Sequence, residues 1–71
     1  MFYSDGEHDV SIMFNGALTT AFVSDREFGL MAKGHAKHNP EDTYDQTKGM
    51  DLAVARATSR LYAKVAKRLA R

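Results

Sequence analysis

From Met50 to the end of the chain, Met50, Val54, Ala57, Leu61, Val65 and Leu69 recur at three- or four-residue spacing. This is the stripe of an amphipathic helix with one side to bury. Neither Gly nor Pro interrupts the run after Gly49, and alanine is frequent, so a single long helix is predicted over residues 50–71. Such a helix needs an apolar surface to lie on, and packing its stripe on a sheet made by the preceding segment is the obvious way to bury both. The rest of the sequence is therefore expected to make one sheet for one helix.

The segment before the helix alternates with the period of a strand. Val10, Ile12 and Phe14 are interleaved with Ser11, Met13 and Asn15. Asn15-Gly16 then signals a two-residue hairpin of type I′, because both residues tolerate positive φ. A turn there opposes Phe14 to Ala17 and sets Val10, Ile12 and Phe14 on one face with Ala17, Thr19, Ala21 and Val23. Ser24-Asp25-Arg26-Glu27 reads as a second hairpin loop, with a third strand from Phe28 to about Lys37. Pairing Val23 with Phe28 adds Phe28, Leu30, Ala32, Gly34 and Ala36 to the same face. The small residues Ala32, Gly34 and Ala36 suit close approach by a helix.

Asn39-Pro40-Glu41-Asp42 has the form of a capped turn, with Pro at a first helical position and acids near the positive end. The expectation is an α+β domain, a three-stranded antiparallel meander packed on one long C-terminal helix, in the order β-β-β-α. Residues 1–8 form a lead, 9–38 the sheet, 39–49 an acidic turn and 50–71 the helix. The whole chain, 1–71, is one domain, near the lower size limit for a single core.

A net charge of +1 conceals a division. Up to Met50 there are four bases against eight acids, a balance of −4; from Asp51 onward six bases face one acid, a balance of +5. The absence of cysteine excludes a disulfide scaffold and a thiolate zinc site. No apolar run approaches the ~18 residues of a membrane span. The polar, acidic start does not resemble a secretory signal. A reducing, cytoplasmic setting is expected.

The stretch Ala32-Lys33-Gly34-His35-Ala36-Lys37-His38-Asn39-Pro40-Glu41-Asp42, followed by Tyr44-Asp45, Gly49, Leu52-Ala53 and Arg56-Ala57, resembles a family of short uncharacterised bacterial and phage proteins. The family joins a glycine-bearing strand to an Asn-Pro-x-Asp turn and a helix with a Leu-Ala-x-x-Arg-Ala core. The resemblance covers roughly residues 30 to 60. It implies a truncated double-stranded-RNA-binding-domain-like fold and, more loosely, a phage-type accessory role. The lysine cluster with which full RNA-binding domains begin their last helix is reduced here to Lys48, beside the acidic Glu41, Asp42 and Asp45. Duplex-RNA binding of the usual groove-spanning kind does not carry over.

Two groups of residues stand out as candidates for function. The second face of the sheet carries Met13, Leu18, Phe22 and Met31, which one helix cannot cover; an apolar cluster of this kind suits a protein interface. The basic residues Arg56, Arg60, Lys64, Lys67 and Arg68 run along one side of the helix, with Lys33 and Lys37 as secondary contacts, a pattern that suits phosphate. The same cations also suit a solvated helix face whose last turns complement the helix dipole.

His35 and His38 point to opposite faces of a strand, so they make a poor metal pair even with His8 and Asp42 nearby. No nucleophile motif or phosphate-cradling glycine loop is present. The expectation is a non-enzymatic binding protein without cofactor or metal, engaging another protein, a host factor in the phage case, or a second copy of itself through its sheet face. A nucleic-acid-binding module using the basic helix is the alternative. No membrane role is expected.

Overall fold

The computed structural model describes residues 1–38 and 46–70. It is an α+β fold with five elements, β1 (Phe2–Ser4), β2 (His8–Asn15), β3 (Leu18–Asp25), β4 (Met31–Lys37) and α1 (Gln46–Leu69). The strands form one antiparallel sheet in the order β1-β2-β3-β4. The expected three-stranded meander is thus present with a fourth strand at its edge.

That fourth strand comes from the lead. Phe2, Tyr3 and Ser4 pair with Ser11, Val10 and Asp9. The pairing reaches the chain terminus: Ile12 N–H donates to the Met1 carbonyl at 2.7 Å, and the Met1 amino group donates to the Ile12 carbonyl at 2.8 Å. The turn between β1 and β2 is held by Asp5, whose carboxylate accepts the amides of Glu7 at 2.9 Å and His8 at 2.7 Å. Three residues are too few to show a strand period, which is why the sequence pattern leaves them as lead.

Both hairpins differ in register from the expectation, and both differ by an even number. Asn15 pairs with Leu18, and Phe14 with Thr19 rather than Ala17. The two-residue loop is therefore Gly16-Ala17. Gly16 alone has positive φ, 59°, while Ala17 does not, which is the type II′ pattern rather than type I′. In the second hairpin Val23 pairs with Ala32 rather than Phe28. Its loop is Arg26–Gly29. Asp25 caps it by accepting the Glu27 amide at 2.6 Å, and Gly29 supplies a residue at φ 67°. Because side chains alternate with period two, even shifts leave the faces unchanged.

The helix begins at Gln46, so residues 46–49, expected to be turn, are its first turn; residues 39–45 and the turn expected there lie outside the described residues. It runs antiparallel to β4 and packs on β3 and β4. Val10, Ile12, Ala21, Val23, Ala32, Ala36, Ala53, Ala57 and Leu61 form the core, with Leu30, Met50 and Val54 partly buried against it. Gly34 permits the approach: a Cβ there would collide with the Ala53 carbonyl oxygen and the Ala57 amide nitrogen and come within 2.9 Å of Arg56 Cβ. A 24-residue helix is ~36 Å long, against ~27 Å for an eight-residue strand. The last turns therefore overhang, and Leu69, expected on the stripe, is 67% exposed.

Candidate binding surface: the outer sheet face and the β4 edge

The register determines which residues share the sheet face turned away from the helix. Phe2, Ser11, Phe22 and Lys33 are directly opposite one another and make a transverse row across all four strands. On one side lies Met13–Thr20–His35, followed by Asn15–Leu18–Lys37; on the other lies Ser4–Asp9–Ser24–Met31. All four apolar candidates, Met13, Leu18, Phe22 and Met31, therefore stand on one face. Phe2 is 70% exposed, Met13 59% and Met31 56%, while Leu18 and Phe22 are half-buried among their neighbours.

The N-terminal segment does not fold over this face; as β1 it widens the sheet and adds Phe2 to the exposed set. Nothing in the sequence marks Phe2 as a contact residue, since a three-residue edge strand shows no period without its partner.

The helix cations have a structural task that the sequence alone does not disclose. β4 is the last strand, so the carbonyls of alternate residues face out from the sheet. Arg56 Nη1 donates to the His35 carbonyl at 2.7 Å, Arg60 Nη1 to the Lys33 carbonyl at 3.0 Å, and Lys64 Nζ to the Met31 carbonyl at 2.6 Å. Four residues of helix advance ~6.0 Å, and two residues of strand ~6.7 Å. An i, i+4, i+8 ladder of cations thus matches every second carbonyl of an antiparallel strand, and long side chains absorb the difference. This satisfies an edge that would otherwise invite strand pairing.

The same contacts bring the two halves of the candidate basic set together. Lys33 and Lys37 are exposed on the outer face of β4, and Arg56, Arg60 and Lys64 border that strand's free edge. Each arginine uses a single Nη1 donor on these carbonyls, and a guanidinium has five donors in all. Lys67 and Arg68 lie apart, in the overhanging last turn where the helix dipole favours cations. His35 Nδ1 lies 3.0 Å from Thr20 Oγ1 on the outer face.

Among the described residues Asp51 is exposed early in the helix, and four of the other acids gather at the far end of β4 from Lys37. Asp5, Glu7, Asp25 and Glu27 lie in or beside the two loops there, tied together by an Arg26 N–H to Glu7 carbonyl hydrogen bond of 3.3 Å. A shallow cleft of about 480 Å³ opens there, lined by both loops with His8, Phe28, Tyr62 and Val65. Among the described strand residues, the one acid on the outer face is Asp9. Arg26 holds it with a 2.7 Å Nη2 contact and a 3.3 Å Nε contact, and this pairing depresses the carboxyl's pKa and raises the guanidinium's. The amides of Glu7 and His8, in turn, lower the pKa of Asp5.

Comparison with known proteins returns no match to a family model, a curated sequence or a solved structure. Among the described residues, no helix is long and apolar enough to cross a membrane.

Proposed function

We propose that this chain is a small non-enzymatic binding protein whose contact surface is the outer sheet face with the cationic border of β4, and that its partner is nucleic acid. The observation that carries the proposal is the convergence of Lys33, Lys37, Arg56, Arg60 and Lys64 on one strand from segments nineteen or more residues apart, with the described acids Asp5, Glu7, Asp25 and Glu27 beyond the opposite end of that strand. A band of one sign beside an uncovered face attracts a polyanion and releases its counterions.

A protein partner, the leading expectation from sequence, keeps one observation in its favour. Met13, Leu18 and Met31 suit an adaptable protein contact better than a phosphate chain. Size does not separate the two readings. Strands of three, eight, eight and seven residues span roughly 400 Å² in projection. That is small both for a stable protein interface of about 800 Å² per partner and for a nucleic-acid module of about 600–1,000 Å². The cationic border of β4 is what sets nucleic acid first. A phage-type accessory role rests on the sequence resemblance alone.

Electrophoretic mobility and anisotropy titrations of labelled single- and double-stranded probes at low salt test the proposal. Lys33→Gln with Lys37→Gln is the informative variant, because Arg60 and Lys64 also hold the β4 edge and their reversal confounds binding with folding. Removing two phosphate contacts lowers the slope of log affinity against log salt by roughly 1.4 on a single strand. A chain that shifts no probe at low salt rules the proposal out.

A further inference from the structure

Deepening that proposal, on which it rests, we infer that the ligand is a single strand laid across the sheet, with bases on Phe2 and Phe22, that turns at Lys33 to carry its following phosphates along the border of β4. The transverse row Phe2–Ser11–Phe22–Lys33 sets two aromatic rings on one face with a cation at its end. Phe2 and Phe22 lie two strands apart, about 10 Å between their Cα atoms at the usual strand spacing. Stacked nucleotides advance only ~3.4 Å per step. Bases must therefore splay to reach both rings, with another base or sugar over Ser11 between them. A single strand splays freely, whereas a duplex keeps its bases paired and inside the stack.

The polar groups continue the same surface. Lys33 follows Phe22 on the neighbouring strand, and Lys37 lies two rows further along β4. Arg56 and Arg60 extend the cationic border around the strand's edge while donating one hydrogen bond each to it. His35, Thr20 and Asn15 provide hydrogen-bonding groups beside the row without adding negative charge. Asp9, which would repel a phosphate, is neutralised by Arg26. A sequence-tolerant stacking platform with a phosphate track beside it is the chemistry of single-strand binding.

The test uses the full chain with a fluorescein-labelled oligothymidylate, the matching oligouridylate and a duplex of the same length, read by anisotropy at low salt. Phe2→Ala is the decisive variant, since Phe2 is 70% exposed and its loss leaves the core untouched. Phe22→Leu keeps the apolar volume of a half-buried position and removes the ring.

The expected result is binding to one or both single strands in preference to the duplex, weakened about tenfold or more by either variant, the scale of one lost stack. Duplex binding equal to or tighter than single-strand binding overturns the inference and leaves the nucleic-acid proposal standing. Single-strand binding indifferent to both variants overturns it as well, placing the strand elsewhere. No binding to any probe at low salt overturns both the inference and the nucleic-acid proposal.

Discussion

The two faces of the sheet differ in polarity and, on β3 and β4, in the volume of their apolar side chains. Toward the helix, β3 and β4 present Ala21, Ala32, Gly34 and Ala36; away from it, the same strands present Leu18, Phe22 and Met31. Helix placement follows both: burying Lys33, His35 and Lys37 would cost their hydration, and small residues on β3 and β4 let the helix close in. A backbone-to-backbone approach at Gly34 buries Ala53, Ala57 and Leu61 completely. The bulkier face would hold the helix off and leave its alanines in contact with nothing. What the small face gains in packing, the large face keeps as exposed surface. Fold and candidate site are two consequences of one allocation of side-chain polarity and size.

The sharpest way to break this difference is to add volume at the close approach. Gly34→Ala places a methyl group against the backbone of Ala53 and Ala57, where no flexible side chain can give way. Overpacking costs about 1–3 kcal/mol when neighbours can shift, and occasionally more. Here the helix itself must move, so the upper end or beyond is expected. A domain of this size has only ~4–10 kcal/mol in total. Loss of a cooperative thermal transition by circular dichroism is the expected outcome; a melting curve like that of the parent would mean the helix does not rest on Gly34.

Next in size is removal of volume on the same side. Leu61 is the largest helix residue that is fully buried, and Leu61→Ala should cost about 2–5 kcal/mol in urea unfolding. By contrast, Met13→Glu on the outer face should change stability by no more than about 0.5 kcal/mol. Two substitutions of apolar residues thus separate the faces. Equal costs would mean the outer face is covered in solution.

Much of this division was legible in the sequence. The stripe from Met50 and the alternation of Val10, Ile12 and Phe14 assign the core face correctly, although both hairpin registers were misplaced. Parity explains why. An error of two or four residues returns every side chain that stays in a strand to its own face, with Ala17 and Phe28 passing into loops, whereas an error of one would exchange the faces. Turn chemistry was the weak link: Asn15-Gly16 admits a type I′ turn, but the chain uses Gly16-Ala17 as type II′, and Asp25 moves the second loop by capping it.

The site was legible only in pieces. Met13, Leu18, Phe22 and Met31 follow from parity, while Phe2 depends on a three-residue strand with no period of its own. The convergence of Arg56, Arg60 and Lys64 on β4 depends on the helix lying along that strand rather than on β2, and no local pattern reveals it. The i, i+4, i+8 spacing was visible. Its match to alternate strand carbonyls was the signal that could have been drawn from it.

A comparison of the two sheet edges yields a smaller effect. β4 has its carbonyls capped by three cations, while β1 is three residues long and bare. Replacing Arg56, Arg60 and Lys64 together by Gln should lower the melting temperature modestly. It should also make light scattering rise with protein concentration, as an unguarded seven-residue edge finds partners. Unchanged scattering would mean that the helix shields β4 by bulk alone.

The smallest expected effect is a pH dependence confined to the acidic loop end. Asp5 and Asp9 have folded-state pKa values below their ordinary ones, Asp5 through the amides of Glu7 and His8, Asp9 through Arg26. A carboxyl depressed by folding binds its proton less readily in the folded chain than in the unfolded one. Its contribution is fully present above the unfolded pKa, near 3.8, and is lost as pH falls through the lower folded value. Both carboxyls are solvent-exposed, so the loss should be slight, with no change across neutral pH. Asp9→Asn should remove part of the acid-side slope in melting temperature and leave neutral stability almost unaltered. Because Arg26 would then be unpaired beside the outer face, the same substitution should tighten polyanion binding slightly at low salt. A variant that flattens the slope but weakens binding would show that Asp9 positions Arg26 for the ligand rather than neutralising it.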